Sequence, residues 1–153
     1  MLFAEVVREV VNFMYAEPRA HYRVMIGSDS NGTSSLDVVS VVAIHRVGHG
    51  GRYFWSRHAA TGIKTLRQKI YTEVQASLDL ATLFLPAFRK ALEVRGSAGE
   101  VPFDFQIHID VGNQGETRDL VHEVTGMVRG YGYEVFVKPE SAAATTVADR
   151  HVR

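Results

Sequence analysis

The chain contains no cysteine, which excludes disulfide staples and thiolate metal sites. That composition fits a reducing compartment, and a cytoplasmic location is the expectation. Net charge is also lacking, with 17 basic residues against 17 acidic ones, so the molecule as a whole is no electrostatic magnet for a polyanion. No apolar run is long enough to span a bilayer, and no membrane partner is expected. The first segment, MLFAEVVREVVNFMYAEP, carries Glu5, Arg8 and Glu9 inside its hydrophobic stretch, which suits an amphipathic helix and not a signal peptide. Repeats and low-complexity tracts are missing, and only RGSAGE (residues 95–100) reads as a loose linker. At 153 residues, 46% of them hydrophobic, the chain reads as one domain over 1–153 with room for a real core. Residues 1–17 form an additional helix at its start, whose apolar face over 2–14 could pack on its own sheet or on a second subunit as a homo-oligomer contact.

One more absence is local. Between Val38 and Thr72 there is no Asp or Glu, while Arg46, Arg52, Arg57, Lys64, Arg67 and Lys69 all fall in that window. It also holds RYFWSRH, residues 52–58. Cations interleaved with aromatic rings suit a polyanion whose bases can stack, which marks Arg52, Tyr53, Trp55, Arg57 and Lys64 as candidate nucleic-acid contacts. The competing reading is a strand with Tyr53 and Trp55 on one side and solvated arginines at its ends.

The order of elements gives the architecture. After the first helix, HYRVMIGS, LDVVSVVAIHRVG and RYFWSRHA read as three strands joined by short turns, hence an antiparallel meander. A long helical segment follows from about Ile63 to Val94, which Pro86 is expected to kink or divide. FDFQIHIDVG is a strand, ETRDLVHEVTGMVRG a helix, YEVFVKP the last strand and SAAATTVADRHVR a short C-terminal helix. Strands joined through helices are normally parallel neighbours. The expected fold is α/β, a five-stranded mixed sheet with an antiparallel and a parallel half, covered by helices.

Several carboxylates stand where this fold could bring them together. In VMIGSDSNG an apolar strand delivers Asp29 to its last position; the bland reading is a hairpin turn, for which Asp, Ser, Asn and Gly are the usual residues. Alternation in FQIHIDVG puts Phe105, Ile107, Ile109 and Val111 on one face and Gln106, His108 and Asp110 on the other. Asp110 ends that strand, where ligands gather at a switch in topology, unless it merely caps the next helix. Glu73 falls on the core-facing stripe of the long helix with Ile70 and Ser77, whereas Asp79 falls on the wet side. A buried carboxylate must be paired, protonated or bound to a cation; Lys69, one turn earlier, is the competing partner. Asp149 and His151 sit on the last helix, where a solvated frayed end is the alternative. Converging carboxylates raise one another's pKa. Hard divalent ions resolve that conflict, and an all-oxygen donor set selects Mg²⁺ or Mn²⁺ over zinc.

The strand order and the acids at the ends of strands one and four resemble the ribonuclease-H-like superfamily, with sheet order 3-2-1-4-5. Within it, IGSDSN, HRVGHGGRYFW, HIDVG and KPESAAATTVADRH resemble a bacterial family classed as YkuK-like, formerly a domain of unknown function. The resemblance implies a nuclease cutting phosphodiesters in RNA, RNA–DNA hybrid or structured DNA. Asp29, Glu73, Asp110 and Asp149 would then ligate two Mg²⁺ or Mn²⁺ ions, with Asp29 first and Asp110 bridging. Ser30 and Asn31 would face a phosphate or sugar edge, His151 or else His108 would shuttle a proton, and Lys138 would neutralise a phosphate if it is more than a solvated lysine. The alternatives are a non-catalytic nucleic-acid-binding domain and a mononuclear metal hydrolase built on His108, Asp110 and His151, although seven scattered histidines form no compact ligand motif.

Overall fold

The computed structural model describes residues 2–96, 101–111 and 118–137. The elements run α1 (Phe3–Tyr15), β1 (Tyr22–Gly32), β2 (Ser35–Arg46), β3 (Gly51–Thr61), α2 (Leu66–Arg95), β4 (Phe103–Ile109), α3 (Arg118–Gly130) and β5 (Glu134–Val137). The sheet has the order β3-β2-β1-β4-β5. β1 pairs antiparallel with β2, and β2 with β3. β1 and β4 are parallel, as are β4 and β5. The expected mixed sheet is therefore the observed one, and the central strand β1 joins its two halves. The C-terminal helix expected over 141–153 lies outside the described residues, as do residues 97–100 of the expected linker. Among the described residues no helix is long and apolar enough to cross a membrane.

Two boundaries differ from the sequence reading. The strand carrying Asp29 does not end there: it continues to Gly32, paired throughout with β2. Turn-forming residues are held extended because β2 supplies a complete ladder, and pairing outweighs local preference. The hairpin connection comes at Thr33 and Ser34 instead. Gly32 has φ +121°, and a Cβ there would lie 2.2 Å from the Ser35 carbonyl oxygen, so only glycine fits. The second difference is Pro86, which lies inside one continuous helix and does not divide it.

α2 starts with a capping box: the Gln68 amide N–H donates to Thr65 Oγ1, and the Gln68 side-chain oxygen accepts from the Thr65 N–H. Its buried stripe runs from Ile70 through Val74, Leu78, Ala81, Phe84 and Phe88 to Leu92. That stripe packs in one core with Tyr22, Val24 and Ile26 of β1, Val42 and Ile44 of β2, and Leu120, Val124 and Val128 of α3. α1 joins the same core through Val7, Val10, Val11 and Met14, so its apolar face is used within its own domain. Its C-terminal carbonyls are tied down by Arg46, which donates to the Phe13 oxygen at 2.7 Å, and by the buried Tyr22 hydroxyl, 3.2 Å from the Met14 oxygen. α1 also holds the far end of α2, where Arg95 donates to Asn12 and lies over the Tyr15 ring.

Candidate functional site

Strand alternation sorts the polar residues of β1 between two faces. Tyr22, Val24 and Ile26 face the helices, and Ser28 and Ser30 continue that side. Met25, Gly27 and Asp29 take the opposite face. In the parallel pair, Gly27 lies beside His108. Asp29 and Asp110 each follow two residues later and so share that opposite face. β4 ends at Ile109, whereas β1 runs on beside β2 alone. Past that point the central strand has no parallel neighbour among the described residues, and carboxylates from both sides of the sheet can approach round its end. Both aspartates are half-buried. One Asp29 oxygen accepts the Ser30 N–H at 2.9 Å, which orients the carboxylate.

Glu73 arrives from the helix side. It is on the buried stripe of α2, 8% exposed, and the Ser30 hydroxyl donates to its Oε2. The expected competitor, an ion pair with Lys69, is not made: the ion pairs among the described residues join His21 to Asp104, Arg57 to Asp37 and Arg67 to Glu123. Burial drives the Glu73 carboxyl up to about 7, and the charges of Asp29 and Asp110 push in the same direction. The Ser30 hydrogen bond and the charge of Lys69 oppose the rise. The three acids therefore feel one another, as converging carboxylates must. Asp79, by contrast, is exposed and accepts from Gln75 at 2.8 Å, as its wet position implied.

Among the described residues, no three His, Cys, Asp or Glu side chains are grouped as a metal-holding cluster. Asp149, the fourth acid of the expected set, lies outside the described residues, as do His151 and Lys138. The donor chemistry of the three described acids suits a hard divalent cation: all are carboxylates, and the buried one has no ion pair among the described residues. His108 is buried, with Nε2 3.0 Å from Gln106 Oε1 and its ring stacked on Phe136.

Ser30, expected to face a phosphate or sugar edge, is 6% exposed and its hydroxyl donates to Glu73; alternation from Ile26 carried that signal. Asn31 is exposed, and its side chain accepts the Gly32 N–H at 3.0 Å. A further polar cluster was not anticipated. Ser28 Oγ lies 2.8 Å from both Ser40 of β2 and Ser77 of α2, joining three elements beside the acids. Serines at i and i+2 of a buried strand demand such partners.

The basic and aromatic segment is the edge strand β3. Register places Arg57 opposite Val39, itself opposite Asp29, so the arginine stands two strand spacings, about 10 Å, from that acid on the same face. Trp55 and Tyr53 occupy the corresponding places in the next two rows and are 46% and 45% exposed. Arg57 pairs with Asp37 at 3.3 Å and lies over the Trp55 ring. Arg52 instead turns to the helix side, over Phe13. Lys64 is exposed beside the start of α2.

Comparison with known proteins bears on the fold. A family model described as ribonuclease H-like matches residues 5–153. A protein of Bacillus subtilis (strain 168), carried under the name uncharacterized protein YkuK, is 29% identical over 160 residues, covering 100% of this chain and 92% of that protein. No solved structure matches the chain.

Proposed function

Because the chain belongs to the ribonuclease H-like family, we propose that it is a metal-dependent nuclease hydrolysing phosphodiester bonds in RNA, RNA–DNA hybrid or structured DNA. One observation supports this reading most: Glu73, buried on α2, is held by the hydroxyl of Ser30, whose amide holds the half-buried Asp29 on β1. A buried carboxylate near two half-buried ones must keep its proton or be compensated by a cation. Asp29, Glu73 and Asp110 would hold Mg²⁺ or Mn²⁺, two ions with Asp149 completing the set. Such ions, when bound, activate water and stabilise the departing oxygen. The chain's own part is to fix the carboxylates: Asp29 through the Ser30 amide, Glu73 through the Ser30 hydroxyl. Trp55, Tyr53 and Arg57 supply stacking surface and positive charge on the face shared by Asp29 and Asp110.

The test is cleavage of labelled single-stranded, duplex, hybrid and junction substrates with Mg²⁺, with Mn²⁺ and with chelator. Asp29→Asn and Asp110→Asn should each abolish cleavage and leave the melting transition in place. A second reading, a binding domain without catalysis, draws on the half-exposed aromatics of β3. It requires that neither substitution changes a salt-sensitive affinity and that no substrate is cut.

A further inference from the structure

Ser30 and Ser28 stand on the same side of β1, two residues apart, and each reaches α2. Ser28 meets Ser77 and Ser40, all neutral hydroxyls. Ser30 meets Glu73, one helical turn before Ser77, and is its hydrogen-bond donor. The first contact fastens helix to sheet. The second fixes a flexible side chain whose charge is resisted by burial and by two neighbouring aspartates.

We propose that Ser30 is a positioning residue for Glu73: its hydroxyl claims Oε2, locks the carboxylate in one rotamer and leaves Oε1 as the oxygen for a divalent cation. Oε1 takes no hydrogen bond among the described residues. The inference rests on the metal-dependent reading above. Without the hydroxyl, Glu73 would sample several rotamers, and each binding event would have to select one. Loss of such a supporting partner typically weakens metal affinity ten- to hundredfold.

The experiment is Mn²⁺ titration, by calorimetry and by electron paramagnetic resonance, of the full chain and its variants. Ser30→Ala should bind Mn²⁺ about tenfold more weakly or worse, and Ser30→Thr, which restores the hydroxyl, should recover most of the loss. Ser28→Ala should lower the melting temperature yet leave Mn²⁺ affinity unchanged. Once Glu73→Gln is in place, adding Ser30→Ala should have no further effect on Mn²⁺ affinity, since residues acting as one unit are not additive. In cleavage, Ser30→Ala should lower kcat and keep KM for the nucleic acid. Equal Mn²⁺ affinity in wild type and Ser30→Ala, or equal weakening by Ser28→Ala, would overturn the role of Ser30 alone. No Mn²⁺ binding by the wild type would overturn the metal reading itself, and this role with it.

Discussion

Glu73 keeps its proton at pH values where an exposed glutamate has lost it, chiefly because burial disfavours the charged form. Its reference value is 4.5 and its folded value about 7. Between these the folded chain binds a proton that the unfolded chain has released, so stability is fullest below pH 4.5 and declines as pH rises through 7. The decline attributable to this one group is at most on the order of 3 kcal/mol. Glu73→Gln keeps the shape and cannot ionise, and should flatten the pH dependence between 5 and 8 without added metal. Urea midpoints at several pH values would measure this. An unchanged slope in the variant would assign the dependence to another group.

Among the elements, α2 carries an internal contradiction. Proline lacks the N–H that would donate to the carbonyl four residues back, and its ring crowds that turn. Pro86 is exposed, so its ring contributes little to the core. Pro86→Ala should therefore raise stability, by up to about 3 kcal/mol, read from urea unfolding; no gain would mean that the helix absorbs the ring at no cost. The expectation that Pro86 kinks or divides the segment weighed this local cost against nothing, because the apolar stripe from Ile70 to Leu92 draws its stabilisation from strands distant in sequence. The same limit applies to β1. Asp29 to Gly32 has turn chemistry, and only the ladder with β2 keeps it extended. Strand order was legible, since short turns and crossover rules constrain it, and with it the parallel pairing of β1 and β4, the strands that lead to Asp29 and Asp110. The wet side of Asp79 and the buried side of Glu73 followed from helical periodicity. The hydroxyl beneath Glu73 did not, because it comes from a residue 43 positions away in a stretch whose turn-like composition hid its two-residue period.

For the whole molecule, the sheet carries Asp29 on its central strand and the aromatic rings of Tyr53 and Trp55 on the same face of its edge strand. If a polynucleotide follows the face they share, Trp55→Ala should weaken binding by about 1–3 kcal/mol with little regard to sequence. Affinity in both proteins should fall with rising salt. Fluorescence anisotropy with a labelled oligonucleotide at several salt concentrations would decide it, and undiminished binding by the variant would remove β3 from the path. The N-terminal helix touches the same long helix at its other end. It grips α2 at Arg95, and Glu73 lies on that helix about 30 Å away along its axis. Between those two points the buried stripe of α2 packs on β1 and β2, so the hold of α1 reaches Glu73 only through that shared core. Loosening α1 should therefore register first as a lower melting temperature, with every strand still paired, because Val10 and Met14 are fully buried in that core.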